Sequence, residues 1–301
     1  MDVAVLVSAA AGRGRAAPLA GTVLGELRAA GLNPQPLPAT TGAEAEVQAR
    51  AAVAAGAAGV VAVGGDGTAH AALQAVAGSG AALGLVAAGT GNDLALALGV
   101  PADPVAATRA LAADLAAGEG RSIDAGRVGE RWWATVLCCG FDSAVTDRAN
   151  RLPWPRGRRR YDLAVLLELA RLRPYEITLG LDGEQRSVPA TMIAVGNTAW
   201  YGGGLEICPG ADPADGLFDV TVVGPVSRRE LVRTRPRLAE GTHVDHPAVS
   251  VFRASRVELA SPGVTTYADG EPVAPLPVVA ECVPGAVRVV GTQRAGDAPR
   301  A

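Results

Sequence analysis

The sequence predicts two domains of different class, a doubly wound α/β domain followed by a mostly antiparallel β-sandwich domain. Short apolar runs alternate with Ala-rich helical segments from the start of the chain to about Ile123. Beyond Ile123, strand-like segments separated by turn residues predominate. The chain has 301 residues, of which 49% are hydrophobic, so it is long enough to bury two cores.

Strands and helices alternate throughout the first predicted domain, residues 1–124. The predicted strands are short apolar runs, at Val3–Val7, Gln35–Leu37, Gly59–Val63 and Ala82–Val86. The predicted helices lie at Gly21–Ala30, Glu44–Ala55, Ala69–Ala77, Leu94–Leu98 and Val105–Ala116. Because the links are short, we expect a parallel sheet with helices on both faces. Ligands of such sheets bind at the carboxyl ends of the strands.

The second predicted domain, residues 125–286, is rich in strands. They lie at Trp132–Leu137, Tyr175–Leu181, Ser187–Val195, Leu217–Val223, Val249–Leu259 and Pro277–Cys282. Asp182–Gly183 and Asp269–Gly270 are typical of hairpin turns. Only Asp162–Leu172 and Arg228–Leu238 have a helical pattern here. Residues 292–301 are predicted to be a disordered tail.

The charged residues exclude several classes of function. All 27 basic residues are Arg, and the chain contains no Lys. This excludes a Walker-A lysine and any chemistry that uses a lysine base or a lysine Schiff base. The net charge of −3 and the pI near 5.7 argue against nucleic acid as a partner.

Three features favour a cytoplasmic setting. Asp2 stands where the basic region of a signal peptide would begin. The charge-free stretch 69–92 is long enough to span a bilayer, but its glycines and polar end fit a helix, turn, strand and loop better. The four cysteines form no C-x-x-C pair, which indicates reduced thiols; they are Cys138, Cys139, Cys208 and Cys282.

The strongest motif is Gly64–Thr68, with the sequence GGDGT, between a predicted strand and a predicted helix. Glycines let backbone N–H groups approach an anion, and the following helix N-terminus adds partial positive charge. Asp66 brings a negative charge to the same place, which suits a site that also holds Mg²⁺ or a nucleotide hydroxyl. The structural alternative is a tight turn in which Thr68 caps the helix.

A second glycine loop, Gly89–Leu94, follows the next predicted strand and reads GTGNDL. Asp93 can cap the helix that follows, which is the structural alternative. Both loops nevertheless leave the same end of one parallel sheet. Together with Ser8–Arg15 after the first strand, we expect three loops to converge on one nucleotide-sized crevice.

These motifs give the sequence a family resemblance over essentially its whole length. GGDGT also occurs in NAD kinases and relatives of phosphofructokinase, but GGDGT followed by GTGNDLA at 89–95 resembles the diacylglycerol kinase catalytic family. The resemblance is to the bacterial lipid-kinase branch of that family, which includes soluble diacylglycerol kinase and relatives of sphingosine kinase. Two later motifs agree, at residues 209–217 and at Asp269–Gly270–Glu271. The resemblance also implies that a strand near 287–291 returns to the first domain.

The resemblance implies an ATP site in the first domain. The GGDGT loop would bind the phosphates through Gly64, Gly65, Asp66, Gly67, Thr68 and His70, with Thr90 nearby. Thr40 best matches a nucleotide-contacting Thr of the family, although Thr41 could serve instead. Ser8 and Gly12 belong to the first loop, where the family's Asn-Pro is replaced by Ser-Ala. That change removes the family's Asn side chain from this loop.

Metal ligands and a base are also implied by the resemblance. Catalytic Mg²⁺ would be held by Asp66, Asp93 and Asp124, with Asp66 also taking part in catalysis. A structural Mg²⁺ would be held by Asp212, Asp215 and the carbonyl of Leu217. From the residues alone, Asp212 and Asp215 also fit an Asx turn around Pro213.

Glu271 would be the general base that takes the proton of the substrate hydroxyl. A hairpin turn explains the preceding Asp269–Gly270 pair, but it does not explain the Glu. A carboxylate near an attacking hydroxyl can accept its proton during phosphoryl transfer.

The resemblance therefore implies an ATP- and Mg²⁺-dependent lipid kinase, with diacylglycerol as the preferred acceptor and phosphatidic acid as the product. Other lipids (a sphingoid base, phosphatidylglycerol), NAD as acceptor, and a non-catalytic nucleotide-binding module are the alternatives. The expected partners are ATP and a lipid presented at a membrane surface, with a homodimer as a further option. The expected location is the cytoplasm, peripheral to the inner membrane surface.

One basic segment, Arg156–Arg160, follows Trp154 and precedes a predicted helix. It can be a solvated basic face that starts the helix. It can equally contact anionic lipid headgroups, with Trp154 at the membrane interface. The sequence leaves both interpretations open.

Overall fold

The computed structural model describes residues 1–7, 16–155 and 157–292. The chain forms two compact units. Unit 1 is discontinuous and consists of Met1–Ala125 together with Pro284–Ala301, whereas unit 2 is the continuous segment Gly126–Val283. The predicted tail at 292–301 falls outside the described residues from residue 293 onward.

Unit 1 is an α/β unit built on a parallel sheet. Its strands from the N-terminal segment are β1 (Asp2–Val7), β2 (Asn33–Leu37), β3 (Gly59–Gly64), β4 (Ala82–Ala87) and the start of β5 (Arg121–Val128). Its helices are α1 (Ala16–Ala29), α2 (Gly42–Ala54), α3 (Asp66–Val76), α4 (Asp93–Ala97) and α5 (Pro104–Ala117). β2, β1, β3 and β4 pair side by side in that order, all in parallel.

Apolar burial and capping explain the elements of unit 1. Every residue of β3 is buried, as expected for a strand covered by helices on both faces. α1 packs with α5 and α2 packs with α3, and Leu27 and Leu111 are fully buried against the sheet. α5 begins where the Asp103 carboxylate accepts the N–H of Ala106, and it ends at Gly118 in the left-handed conformation.

Unit 2 consists mainly of antiparallel strands. The strands are β6 (Arg131–Trp133), β7 (Val136–Gly140), β8 (Tyr175–Leu181), β9 (Glu184–Ala190), β10 (Met192–Gly196), β11 (Trp200–Tyr201), β12 (Leu205–Glu206), β13 (Phe218–Val223), β14 (Val249–Ala254), β15 (Arg256–Ala260), β16 (Thr265–Ala268), β17 (Glu271–Pro275) and β18 (Val278–Val290). The helices are α6 (Phe141–Arg151), α7 (Arg158–Leu169) and α8 (Arg228–Ala239).

Two strand arrays enclose the core of unit 2. One is the sheet β14-β13-β10-β7-β16-β17, and in the other β18, β15, β8 and β9 pair in that order. Residues from both arrays form one buried cluster, which includes Ile193 from the first and Ile177 from the second. Trp133 and Phe218 stack inside this cluster with ring centroids 4.9 Å apart. This is the predicted β-sandwich class.

β18 carries the chain back into unit 1. Its last residues, Arg288–Val290, pair in parallel with Ala82–Gly84 of β4. Val287, Val289 and Val290 are at most 1% exposed. The final strand of the unit 1 sheet is therefore supplied by the C-terminal part of the chain.

Three of the predicted strands are wrong in extent, because each contains a break that the apolar pattern conceals. Ser187–Val195 comprises β9 and β10, and Val249–Leu259 comprises β14 and β15. In both cases the chain passes from one strand array to the other across a single residue, Thr191 or Ser255. Trp132–Leu137 comprises β6 and β7, with Ala134 and Thr135 between them. α6 was not predicted.

The stretch 69–92 forms the rest of α3, a turn, β4 and a loop, as the sequence predicts. Among the described residues, no helix combines the length and the hydropathy that crossing a membrane requires. The four cysteines are free thiols, and burial raises the pKa of Cys139 and of Cys208 to about 12.

Candidate functional site

The two glycine loops of unit 1 touch through their backbones. A Cβ on Gly89 would lie only 2.4 Å from the Cα of Gly65, and one on Gly91 would lie 2.5 Å from Asp66 Oδ2. Any larger residue at 89 or 91 would therefore force the loops apart. This close approach explains Gly65, Gly89 and Gly91, at the carboxyl ends of the neighbouring strands β3 and β4.

The Asp66 side chain joins the loops. Its Oδ2 accepts the N–H of Asn92 and its Oδ1 accepts the N–H of Asp93, both at 2.8 Å. These N–H groups belong to the first residues of α4, where no helical carbonyl is available to them. Asp66 thus supplies negative charge at the N-terminus of α4, where it interacts favourably with the helix dipole.

Asn92 is a site residue that the sequence interpretation missed. It has φ 62° and ψ 38°, in the left-handed region that Asn tolerates better than most residues. Its Oδ1 accepts the N–H of Gly89 at 2.9 Å, which closes the loop on itself. An Asn inside a glycine motif is the signal that could have identified this role.

Helix α3 begins earlier than predicted, and this changes the roles of two residues. Its N-cap is Gly65, so the alternative in which Thr68 caps the helix is wrong. Thr68 lies in the first turn, with its hydroxyl against Gly64. His70 is only 6% exposed, and its Nε2 lies 3.3 Å from Gln74 Nε2. This burial favours a packing role for His70 over contact with ATP.

Thr40 and Thr41 both take part in the start of α2. Thr41 is the N-cap, and its hydroxyl accepts the N–H of Glu44. Glu44 in turn accepts from the N–H and the hydroxyl of Thr40, each at 2.8 Å, and these bonds lower the pKa of Glu44. The nucleotide contact assigned to Thr40 or Thr41 stays a prediction.

Of the three predicted Mg²⁺ ligands, Asp66 and Asp93 lie together, and the assignment of Asp124 stays a prediction. In the described parts of the chain, no cluster of three or more His, Cys, Asp or Glu side chains is placed to hold a metal ion. Asp124 is 3% exposed, and its carboxylate accepts the N–H of Gly285 at 2.8 Å. That backbone contact gives Asp124 a structural role where the chain re-enters unit 1.

Asp66 and Asp93 do converge. Their Oδ2 atoms lie 2.5 and 3.6 Å from the position that a Cβ on Gly91 would occupy. Two carboxylates at one point are a donor set that suits Mg²⁺, whose remaining ligands are typically water and phosphate oxygens. The residues present therefore fit the ion at this place.

In unit 2, the predicted hairpin turn lies between β16 and β17. Asp269 and Gly270 have φ values of 53° and 84°, as a type I′ turn requires. The Asp269 carboxylate accepts from the N–H groups of Ala134 and Thr135 and from the Thr135 hydroxyl, the last at 2.5 Å. Asp269 is therefore bound to the adjacent backbone.

Glu271 differs from Asp269 in exposure and hydrogen bonding, although it is only two residues away. Its side chain is exposed, and over the described residues it makes no hydrogen bond or ion pair. The two acidic residues of the motif thus have different roles in the fold. Glu271 is the more accessible of the two to another molecule.

The Asp212–Leu217 turn of unit 2 contains the predicted Asx geometry. Asp212 Oδ1 accepts the N–H of Ala214, and Asp215 Oδ1 accepts the N–H of Leu217. Arg253 forms an ion pair with Asp215 and lies 3.5 Å from Asp219. A guanidinium therefore occupies the neighbourhood where the sequence predicts a cation, and the metal at Asp212, Asp215 and Leu217 stays a prediction.

Four predicted ATP-site residues remain, namely Gly67, Thr90, Ser8 and Gly12. Gly67 and Thr90 are exposed on the two joined loops, where a ligand could reach them. Ser8 and Gly12 lie outside the described residues. A crevice between the loops is lined by Gly64, Gly65, Asp66, Asn92 and neighbouring apolar residues.

Two family models match this chain. The diacylglycerol kinase catalytic domain matches residues 2–128, and the YegS C-terminal NAD kinase beta sandwich-like domain matches residues 135–291. A Stenotrophomonas maltophilia protein named "Probable lipid kinase YegS-like" is 31% identical over 76% of this chain and 77% of its own length. The chain belongs to the diacylglycerol kinase and YegS-like lipid kinase family.

Other members of the lipid kinase family are similar over less sequence or at lower identity. A Mycobacterium tuberculosis protein named diacylglycerol kinase is 47% identical over 175 residues, which cover 56% of this chain and 57% of that protein. The match thus spans little more than half the length of that relative. The crystal structure of a diacylglycerol kinase from Bacillus anthracis has a TM-score of 0.69 at 16% identity, covering 96% of both chains.

The fold is also shared outside the lipid kinases. An NAD kinase from Archaeoglobus fulgidus, solved in complex with ATP, has a TM-score of 0.57 at 12% identity and covers 98% of this chain and 94% of its own. At that identity the likeness concerns the fold alone. It agrees with the order of an α/β unit followed by a β-sandwich.

Proposed function

We propose that this protein is an ATP- and Mg²⁺-dependent lipid kinase that phosphorylates the hydroxyl of diacylglycerol and releases phosphatidic acid. One observation carries the proposal: in a chain of the lipid kinase family, Asp66 joins two glycine loops at the carboxyl ends of neighbouring strands. Such an edge of an α/β sheet is where nucleotides bind in this class of fold.

The loops offer groups that suit the phosphates of ATP. Gly65 and Gly89 let the two loops pack against each other, and Gly67 and Thr90 are exposed on those loops, where a phosphate can reach them. The N-terminus of α3 adds partial positive charge to the same loop. Asp66 and Asp93 would hold Mg²⁺, which when bound offsets the negative charge of the phosphates.

Phosphoryl transfer needs a group that takes the proton of the lipid hydroxyl. As the hydroxyl oxygen bonds to the γ-phosphorus, the bond to the β–γ bridging oxygen breaks and ADP leaves. The proton passes to the carboxylate of Glu271. The exposure of Glu271, together with the engagement of Asp269 by three donors, supports this assignment.

The acceptor, location and assembly are part of the same proposal. Diacylglycerol is favoured by the relatives that carry the name diacylglycerol kinase. Because that substrate resides in a bilayer, the protein would work in the cytoplasm at the inner membrane surface. A homodimer stays a prediction.

The decisive experiment measures ADP release and product mass with a panel of acceptors. The panel contains diacylglycerol, a sphingoid base, phosphatidylglycerol and NAD, each with ATP and with or without Mg²⁺. We expect phosphatidic acid as the main product, formed only with Mg²⁺. Phosphorylation of NAD without any lipid product would replace the proposal with an NAD kinase, and nucleotide binding without any transfer would replace it with a non-catalytic module.

A further inference from the structure

The positive charge of the chain is concentrated in two short segments of unit 2. Residues 151–173 and 228–239 contain 12 of the 27 Arg residues but only 3 of the 30 acidic residues. The protein as a whole is acidic, with a net charge of −3. These segments include α7 and α8, and a basic surface on an acidic protein is a feature that the fold itself does not require.

Helix α7 has more apolar residues than its packing uses. Val165 and Leu169, with Leu172 just after the helix, recur at helical spacing and pack against a second buried cluster of unit 2, which includes Phe141 and Met192. Leu166 and Leu167 face solvent instead, and they are 64% and 39% exposed. These two adjacent leucines leave apolar surface open on the outer face of α7.

The apolar residues of helix α8 are likewise divided between a packed face and an exposed face. Leu231 and Leu238 pack against the same second cluster, whereas Val232 is 56% exposed. No residue of α8 is fully buried. Within the described residues, no carboxylate is paired with Arg229 or Arg233. Their charge is therefore available to an anionic partner.

The two helices form one surface. The guanidinium of Arg228 donates to the carbonyl of Ala170 just after α7, at 2.6 Å. An open groove between the helices is lined by Leu169, Arg228, Arg229, Val232 and Arg233. We call this the α7–α8 surface, and it includes the exposed Leu166 and Leu167.

Aromatic residues lie at the start of the same segment. Trp154 is 76% exposed and Tyr161 is 42% exposed. Arg160 Nε donates to the carbonyl of Pro155 at 3.1 Å, so this loop is held against the first turn of α7. Of the nine large hydrophobic side chains exposed in the described parts of the chain, five lie in these two segments: Trp154, Tyr161, Leu166, Leu167 and Val232.

We infer that the α7–α8 surface is where this protein docks on an anionic lipid bilayer. Exposed leucines and a Val enter the boundary between headgroups and acyl chains, unpaired Arg residues meet the lipid phosphates, and Trp and Tyr suit the interface between them. A nucleic acid would satisfy the arginines but offers nothing to the exposed Leu and Val residues. The inference rests on the proposed function, since a kinase for a bilayer lipid must reach its substrate there.

Flotation with vesicles tests the surface without any catalysis. Full-length protein is mixed, without nucleotide, with vesicles of phosphatidylcholine alone or of phosphatidylcholine with phosphatidylglycerol. We expect binding to the anionic vesicles that weakens as salt is raised. In Arg229→Ala/Arg233→Ala it should fall about 25-fold, since each Arg near an anionic surface is worth about fivefold.

Two further variants separate charge from apolar contact. Arg28→Ala/Arg50→Ala removes the same charge from exposed helix positions of unit 1 and should bind like the wild type. Val232→Ser keeps every charge and should weaken binding severalfold. All these positions are exposed, so melting temperatures should not change.

The outcomes distinguish this inference from the proposed function. Wild-type affinity in Arg229→Ala/Arg233→Ala, or equal loss in the Arg28/Arg50 control, overturns the α7–α8 surface. So does binding by the wild type to an RNA or an acidic peptide but not to vesicles. If the wild type binds anionic vesicles and phosphorylates no lipid, only the proposed function fails. Variants that lose vesicle binding but still phosphorylate a short-chain, water-dispersed diacylglycerol support both.

Discussion

Acidic side chains in this protein differ in whether their oxygens hold the backbone or are open to another molecule. Asp66 accepts two backbone N–H groups, and Asp269 accepts two N–H groups and a hydroxyl. Glu271 accepts none among the described residues. A substitution should therefore change stability at the first two positions and only chemistry at the third.

Asp66→Asn should abolish phosphoryl transfer and also destabilise unit 1. A carboxamide has one acceptor oxygen, so one of the N–H groups of Asn92 and Asp93 would face an NH₂ group. We expect the free energy of unfolding to fall by about 1–3 kcal/mol. Thermal denaturation and a turnover assay measure the two effects.

The matched control for Asp66 is Asp103→Asn. Asp103 likewise accepts at a helix N-terminus, one N–H from Ala106 at 2.8 Å, but it lies outside both glycine loops. Asn caps helices about as well as Asp, so stability and activity should stay near the wild-type values. Full activity in Asp66→Asn would contradict the assignment of this loop to the active site.

Glu271→Gln should lower kcat by about 10²–10⁴-fold while leaving the melting temperature and ATP affinity near their wild-type values. The amide keeps the size of the side chain but cannot take the proton of the attacking hydroxyl. Its companion is Asp269→Asn, which should instead lower the free energy of unfolding by about 1–3 kcal/mol because three donors lose a charged acceptor. Normal turnover in Glu271→Gln would move the base elsewhere, and weakened ATP binding would make it a nucleotide-positioning residue.

At the scale of elements, caps and glycines explain which boundaries could be predicted. α2 and α5 end within a residue of prediction because turn residues such as Gly56 and Gly118 adopt positive φ after them. The predicted start of α3 is three residues too late. The sequence GGDGT is typical of a loop and does not show that Gly65 is the N-cap. The breaks at Thr191 and Ser255 are each a single residue without Gly or a paired turn signal, so the apolar pattern continues across them.

The contact between the hairpin β11–β12 and α6 should make the free energy of unfolding depend on pH. Tyr201 on β11 donates to Asp142 of α6 at 2.5 Å, and burial raises the pKa of Asp142 to about 6. Because this pKa is higher in the folded than in the unfolded chain, folding takes up a proton between about pH 4 and 6. The resulting contribution to stability is complete below pH 4 and is lost as the pH rises through about 6.

Asp142→Asn should remove that pH dependence and stabilise unit 2 at pH 7 by about 1–3 kcal/mol, because the amide accepts from Tyr201 without a buried charge. Tyr201→Phe should strengthen the pH dependence of stability. The hydrogen bond from Tyr201 lowers the pKa of Asp142, so its loss should raise that pKa further. Urea unfolding at several pH values, followed by tryptophan fluorescence, gives the slopes. Parallel pH curves for the wild type and Asp142→Asn would disprove the assignment.

Variants at the Asp212–Leu217 turn should show whether Arg253 or a bound Mg²⁺ neutralises its carboxylates. Burial raises the pKa of Asp219, and Arg253 opposes that shift while it pairs with Asp215. Arg253→Gln should lose about 1 kcal/mol of stability in a chelator and regain it in Mg²⁺, because a cation can then approach the unpaired carboxylates. Asp215→Asn should melt identically in both. The absence of any Mg²⁺ effect in wild type and Arg253→Gln would leave Arg253 as the cation of this turn.

At the scale of the whole molecule, the sequence predicts both fold classes, since alternation and hairpin signals are local properties. The candidate site is harder to predict because it depends on loops that are distant in sequence. That GGDGT and GTGNDL leave one edge of a parallel sheet could be predicted, and the structure brings them together there. That Asp66 accepts the two N–H groups at the start of α4 depends on the left-handed turn at Asn92, which no spacing rule specifies.

The position of the last strand of unit 1 has a consequence for biosynthesis. Until residues 288–290 leave the ribosome, β4 has no partner on one side, and all of unit 2 must be translated first. At typical rates of translation, this delay is on the order of ten to thirty seconds. During that time the nascent chain presents an unpaired apolar edge strand, which invites pairing with other chains. Newly made protein should therefore depend on chaperones more than its modest size suggests.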